Sequence, residues 1–327
     1  MQISEIELLP YRVGALMYVP ALNTEIGEKL CNGTLPKLDS LAFCIEDSVT
    51  DFGVEAAETQ LVKTLEYISA NKPQRLPLLF VRVRNCAQLK KLPSFLGGLI
   101  GLLTGVILPK FNLSNAAEYC SLVGEINSGN APLYIMPILE SPCILNLETR
   151  KRTLISIREL LDGCRDYVLN VRVGAMDFCK IHGLRRAVDQ SVYDIGVVRD
   201  VLTDILTVFS ANYVVSAPVW EYFNGNDAWA VGLEKELRLD IANGFIGKTV
   251  IHPSQLLIVR KFLAPLREDF NDAKEILNWK DDSLGVAKST AGNRMNEVAT
   301  HQNWAKKILI LSEIYGVRDA NENTCLA

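Results

Sequence analysis

Pro137-Ile138-Leu139-Glu140 and, one unit later, Val173-Gly174-Ala175-Met176-Asp177 are apolar runs that each end on an acid. Read as neighbouring parallel strands, they put two carboxylates on the edge where a (β/α)8 barrel gathers its chemistry. The two runs span 134–139 and 168–173, and six more of the same form lie at 15–19, 41–45, 78–84, 106–108, 213–216 and 249–251. Helical spacing of small and apolar residues fills intervals between them, at 53–70, at 115–126 behind a Ser114-Asn115 cap, and at 198–210. Strand then helix, eight times, predicts an α/β fold of the (β/α)8 TIM-barrel type over residues 1–263, the catalytic domain. A doubly wound open sheet is the alternative, because periodicity does not reveal closure.

Beyond the eighth strand the character changes. Residues 265–288 are charged and loosely helical, Ser289-Thr290-Ala291-Gly292-Asn293 reads as a flexible joint, and 297–315 as an amphipathic helix. Residues 264–327 are therefore expected to form a C-terminal helical lid and oligomerisation segment, with a frayed end.

A chain of 327 residues with 49% hydrophobic content has ample material for a large core. A net charge of −4 and no long basic run give no electrostatic reason to expect nucleic acid or an anionic membrane. Acids at Glu5 and Glu7, where a signal peptide needs positive charge, and no apolar stretch near the ~20 residues of a membrane span lead to the expectation of a soluble cytoplasmic protein. The eight cysteines lack paired spacing and read as reduced thiols, not disulfides or zinc ligands.

Glu140 and Asp177 offer two hard oxygen ligands, which suits Mg2+, an ion that takes one or two carboxylates and keeps open positions for substrate. The other reading is that each acid caps the helix after it. The run Phe80-Val81-Arg82-Val83-Arg84 puts two arginines on one face by the two-residue period. An inward arginine needs an anion, either substrate or a structural partner such as Glu46 or Asp47. Lys110 and His252 stand at the ends of the fourth and eighth runs.

Seven segments, YVPALN (18–23), CIEDS (44–48), FVRVRN (80–85), VILPK (106–110), ILES (138–141), VGAMDF (173–178) and GKTVIHPSQ (247–255), resemble in order the strand-end motifs of the citrate lyase beta subunit family, within the HpcH/HpaI aldolase group. The resemblance implies a Mg2+-dependent carbon–carbon lyase that cleaves a 3-hydroxyacyl thioester, such as citryl-, malyl- or citramalyl-CoA, to a 2-oxo acid and an acyl thioester. It also implies Glu140 and Asp177 as metal ligands, Arg82 as the catalytic arginine facing substrate, and Glu46 and Asp47 as the acids orienting it; Lys110 and His252, from their strand-end positions, are candidate substrate-binding residues beside Arg82. The expected partners are a small 2-oxo or 2-hydroxy acid and an acyl thioester on CoA or a carrier protein, within a homo-oligomer for which the resemblance favours a trimer. Malate-synthase-like condensation, thioester hydrolysis, and a non-catalytic subunit binding an acyl carrier remain the alternatives.

The chain departs from the family at several places. Gly14 and Ala15 stand where Arg-Ser is common, Ala21 replaces a glycine, Cys44 replaces the first acid of its motif, and Ser216-Ala217-Pro218 ends the seventh run where Ile-Asp is usual. Asn293-Arg294-Met295-Asn296-Glu297 aligns with a lid motif so that Glu297 takes the place of a catalytic Asp. The resemblance implies that this acid reaches a site, in relatives a neighbouring subunit's; the alternative is that it merely begins the last helix.

Overall fold

In the computed structural model, which describes residues 3–35, 37–128, 132–280 and 283–319, eight short parallel strands run in the order β7-β6-β5-β4-β3-β2-β1-β8. They are β1 (Ala15–Pro20), β2 (Ser40–Cys44), β3 (Leu78–Arg82), β4 (Gly105–Leu108), β5 (Tyr134–Leu139), β6 (Val171–Val173), β7 (Val215–Ser216) and β8 (Lys248–Val250). The edges β7 and β8 meet through a parallel bridge at Ala217–Lys248, with Ala217 N donating to Gly247 O at 3.0 Å and Thr249 N to Ala217 O at 3.2 Å. Closure decides for the barrel over the open sheet.

The helices are α1 (Glu5–Arg12), α2 (Ile26–Cys31), α3 (Val54–Asn71), α4 (Cys86–Leu96), α5 (Ala116–Asn127), α6 (Arg150–Asp162), α7 (Ala175–Ile181), α8 (Gly196–Phe209), α9 (Ala228–Asn243), α10 (Leu256–Leu263), α11 (Arg267–Leu277) and α12 (Val298–Tyr315). None is long and apolar enough to cross a membrane. The expected helix at 115–126 forms, but the Asn115 side chain makes no cap bond; it accepts from Asn112 N at 2.9 Å instead.

Strand alternation divides the core in two. Inside the barrel, Leu16, Ala42, Phe80, Ile107, Met136 and Ile138 pack with Val13 and Leu169, while the outward residues join the helices in a larger cluster. At the N-terminal end, α1 starts with a capping box between Ser4 and Glu7, and Leu9 and Val13 at its far end pack against the inner cluster.

Outside the closing strand lies a buried ion cluster. Lys248 Nζ donates to Glu236 at 2.8 Å and to Asp240 at 2.7 Å, both on α9; Glu236 also pairs with Arg186 and accepts from Val192 N at 2.7 Å, and Tyr193 OH donates to Asp240 at 2.8 Å. Each charge is taken from water only because another meets it.

The C-terminal segment is more ordered in plan than its sequence suggests. Residues 289–293 are not a flexible joint but the turn of a hairpin, β9 (Val286–Lys288) with β10 (Met295–Glu297), in which Ser289 N donates to Arg294 O at 2.8 Å and Ser289 is buried. Arg294 ties the hairpin to α11 through Asp269 at 2.8 Å and Asp272 at 2.6 Å. Helix α12 packs on α11, α1 and α10, and Tyr315 OH donates to Tyr11 O at 2.6 Å. Tyr315 also explains a sequence departure: Gly14, at φ +50, faces its hydroxyl so closely that any Cβ would overlap it. No side chain fits where the family commonly has arginine.

The cysteines among the described residues are free thiols, with Cys120 and Cys164 Sγ 2.7 Å apart; Cys325 lies outside the described residues.

Lys248→Met leaves Glu236 and Asp240 buried without their cation. Urea unfolding is expected to show a loss of about 3–5 kcal/mol, with Lys248→Arg losing less.

Candidate active site

Arg82 is the last residue of β3 and points inward beneath the barrel mouth, 8% exposed. Its Nη2 lies 2.8 Å from Glu46, 3.0 Å from Asp47 and 3.3 Å from Glu140, and its guanidinium stands 5.8 Å from the centre of the Tyr18 ring. Burial works against the charge, but Tyr18, Glu140 and Glu46 outweigh it and raise the Arg82 pKa further. Arg84 does not share the site. It donates to the carbonyls of Ile45, Glu46 and Val49 and pairs with Asp51, which makes it a brace for the loop after β2.

The loop after β2 supplies Glu46, buried, and Asp47, exposed. Burial, then hydrogen bonding with Asp47, raises Glu46; Asp47 is opposed by burial but is lowered by the Glu46 bond and by the charges of Arg82 and Lys110. Lys110 serves both ends of this arrangement. Its backbone, in the left-handed region at φ +50, donates N–H to Glu140 at 2.9 Å, while its Nζ pairs with Glu46 and approaches Asp47 at 3.4 Å. Side-chain amides of Asn112 and Asn115 hold its carbonyl at 2.7 and 3.1 Å.

Glu140 follows β5 and is buried. It does not cap the turn that follows it; its carboxylate reaches across to the Lys110 amide and Arg82. Burial first, with the charge of Asp177 adding to it, pushes its pKa up to about 7 against the pull of Arg82. Asp177 sits not at the strand end, as the sequence suggests, but in the first turn of α7, because the strand stops at Val173 and Gly174 turns the chain. Gly174 is required here: a Cβ would overlap the Glu140 carboxylate.

These groups line a cavity of about 460 Å³, bounded by Tyr18, Asp47, Arg82, Glu140, Arg172 and Asp177 among others. A second space of about 690 Å³ opens beyond Glu140 and Asp177, walled by Lys110, Ser141, Cys143 and Lys180. The two carboxylates form the partition. No group of three or more His, Cys, Asp or Glu side chains makes a ready cage among the described residues. A pair is nonetheless what an octahedral ion that keeps its waters needs, and the mutual repulsion that helps raise Glu140 is what a cation would relieve. Glu140 and Asp177 therefore fit a divalent metal.

Two expected residues lie elsewhere. His252 does not line the cavity; its ring stacks on Phe223 at 4.7 Å and its Nδ1 meets Ser254 Oγ at 2.8 Å, capping the turn after β8. Glu297 does not line it either. It ends β10, its N–H donates to His301 Nδ1 at 3.0 Å, and among the described residues none beyond Ile251 borders the cavity. Tyr315, at the other end of α12, packs near Gly14 and Asp39, which precede β1 and β2 on the opposite side of the barrel. The described residues of the segment therefore do not line the cavity of their own chain.

Tyr18, Thr249, Gly174 and Arg172 were not singled out by sequence reasoning. A signal for Arg172 was present: like Arg82, it is a lone cation inside an apolar strand, Val171-Arg172-Val173.

A family model described as a carbon–carbon bond lyase of the TIM-barrel fold matches residues 7–317. The chain belongs to that family. Solved structures of similar fold include the CitE protein of Mycobacterium tuberculosis in complex with magnesium, acetoacetate and coenzyme A, 21% identical over 92% of this chain and 99% of that one with a TM-score of 0.61. A citrate lyase of Burkholderia xenovorans is 15% identical over 94% of both chains with a TM-score of 0.70. The citrate lyase beta subunit of M. tuberculosis, solved with oxaloacetate and magnesium, is 22% identical over 77% of this chain and 98% of that one with a TM-score of 0.51. No match was found among curated proteins. Family membership agrees with the citrate lyase beta-like kinship carried by the strand-end motifs.

Gly174→Ala is expected to push Glu140 off the Lys110 amide and to cost about 1–3 kcal/mol of stability through overpacking. A crystal structure of the variant and its urea midpoint check both parts.

Proposed function

We propose that this protein is a magnesium-dependent carbon–carbon lyase that cleaves a 3-hydroxyacyl thioester of the citryl-, malyl- or citramalyl-CoA type to a 2-oxo acid and an acyl thioester. The observation that carries the reading is the convergence of Glu140, Asp177 and the anchored Arg82 on one cavity. The magnesium and oxaloacetate or acetoacetate bound in the neighbours' structures support it.

Glu140 and Asp177 would hold the ion, which when bound polarises the hydroxyl and carboxylate of the 2-hydroxy acid portion. Arg82, fixed by Glu46 and Asp47, presents its guanidinium to the oxygen on which charge develops. Among the acids lining the cavity, Asp47 is the one not assigned to the metal, and it accepts the hydroxyl proton. As the carbon–oxygen double bond forms, the adjacent carbon–carbon bond breaks and its electron pair leaves as a thioester enolate, which takes up a proton to give the acyl thioester. Lys110 keeps Glu46 and Glu140 in place instead of touching substrate.

Incubation with citryl-, malyl- and citramalyl-CoA in magnesium tests the reading. Equal release of a 2-oxo acid and an acyl-CoA from one of them, abolished by chelation, is the expected outcome. Free CoA without a 2-oxo acid identifies hydrolysis, and no turnover identifies an accessory subunit. Arg82→Lys keeps the charge but loses the planar fork, and kcat/KM should fall by about 100-fold or more with folding little changed.

Glu297 belongs to this reading only in trans, reaching the cavity of a second copy to protonate the enolate. Mixing Glu297→Gln with Glu140→Ala subunits, each inactive alone, should then restore activity once subunit exchange is confirmed. No recovery removes Glu297 from the mechanism.

A further inference from the structure

Four arginines are buried among the described residues, and three of them are neutralised. Arg82 meets Glu46, Asp47 and Glu140; Arg150 meets Asp204 at 3.1 Å and the carbonyls of Ile144 and Leu145; Arg186 meets Glu236 and Glu221. Arg172 has no acid. It is 1% exposed, its Nη2 donates to Thr249 Oγ1 at 2.7 Å and Tyr18 is a further side-chain hydrogen-bond partner, while Nε and Nη1 are without partners. A guanidinium in that state is costly, because desolvation is not offset by an opposite charge.

Its position indicates what would offset it. Arg172 lies level with Ile138 of β5, an inner-cluster residue, and with Ser216 of β7, and it reaches over β7 to Thr249 of β8. It lines the same cavity as Arg82, Glu140 and Asp177, beside Tyr18 and Thr249. Burial opposes its charge, as does the second cation Arg82, and the side chain that favours it is Tyr18. The acids of the cavity are engaged elsewhere: Glu140 and Asp47 at Arg82, and Asp177 beside Glu140. Arg172 is therefore the cation of the cavity that no acid of the chain meets.

We propose that Arg172 is an anion-binding residue that holds a second carboxylate of the substrate, so that the site selects a dicarboxylic 2-oxo acid portion over a monocarboxylic one. This rests on the lyase reading and sharpens it. One carboxylate, next to the carbon that becomes the ketone, goes to the Glu140–Asp177 side; the other, at the far end of a four-carbon acid, goes to Arg172, with the Tyr18 and Thr249 hydroxyls beside it. A planar fork with unmet N–H groups matches a carboxylate, and a monocarboxylic 2-oxo acid would leave it unmet.

Titration calorimetry of the full chain in magnesium, with oxaloacetate and with pyruvate, tests the assignment. The wild type is expected to bind oxaloacetate the more tightly. Arg172→Gln should weaken oxaloacetate about 100-fold, as loss of a charge-assisted bond pair does, and change pyruvate by less than about threefold. Arg172→Lys, with the charge kept and the fork lost, should fall between, and serves if the glutamine variant does not fold. A crystal of the wild type with oxaloacetate should show the distal carboxylate on Arg172. If the wild type binds neither acid, the lyase reading falls and this one with it. If it binds both and the variants lose them equally, or lose neither, the lyase reading stands and Arg172 has no selective role.

Discussion

One guanidinium nitrogen, Nη2 of Arg82, meets the carboxylates of three residues drawn from two different strand ends. Without that cation, Glu46 and Glu140 would face each other and Asp47 beneath a low-dielectric rim, and the mouth could not hold its shape while acids are ionised. With it, the loops after β2 and β5 are pinned to the end of β3, and Lys110 completes the lattice by bonding Glu140 through its backbone and Glu46 through its side chain. The rest of the mouth is arranged around that centre. Glu140 is held facing Asp177, close enough for their charges to interact, and Gly174 leaves the room that this approach needs.

The barrel treats its buried charges in two ways. On the outer side of β8, Lys248 is saturated by Glu236 and Asp240, and Arg186 by Glu236 and Glu221, so that the closing strand is bolted to α9. On the inner side, Arg172 lines a cavity and keeps buried N–H groups that no group of the chain meets. In the first arrangement every cation meets an acid of the chain; in the second Arg172 meets none. That difference separates a structural charge from a functional one more sharply than burial does, since both are fully enclosed.

The departures from the family's motifs have local physical causes. Gly14 carries no side chain because Tyr315 of α12 fills the space, which links the loss of the common Arg-Ser start to the docking of the C-terminal segment beside it. The same docking, with Arg260 paired to Asp39 and stacked 5.1 Å from Tyr315, sets α12 against the end of the barrel opposite the mouth. Glu297, at the other end of α12, is not among the residues that line the cavity of its own chain.

The eight-strand count, the residues that carry the strands, the acids Glu140 and Asp177, and the inward turn of Arg82 were legible in the sequence, because a period of two in an apolar run fixes which side chains face a sheet's one side. β6 and β7 end where the runs at 168–173 and 213–216 end but begin a few residues later. Closure at Ala217–Lys248, the pairing of Lys110 with Glu46, the capping role of His252 and the hairpin at 289–293 belong to tertiary structure alone. They join residues far apart in the chain or depend on which way a loop returns, and neither is encoded in local spacing. Arg172 shows the boundary most plainly: the sequence marks a cation in an apolar strand, but only packing decides whether an acid meets it, and here none does.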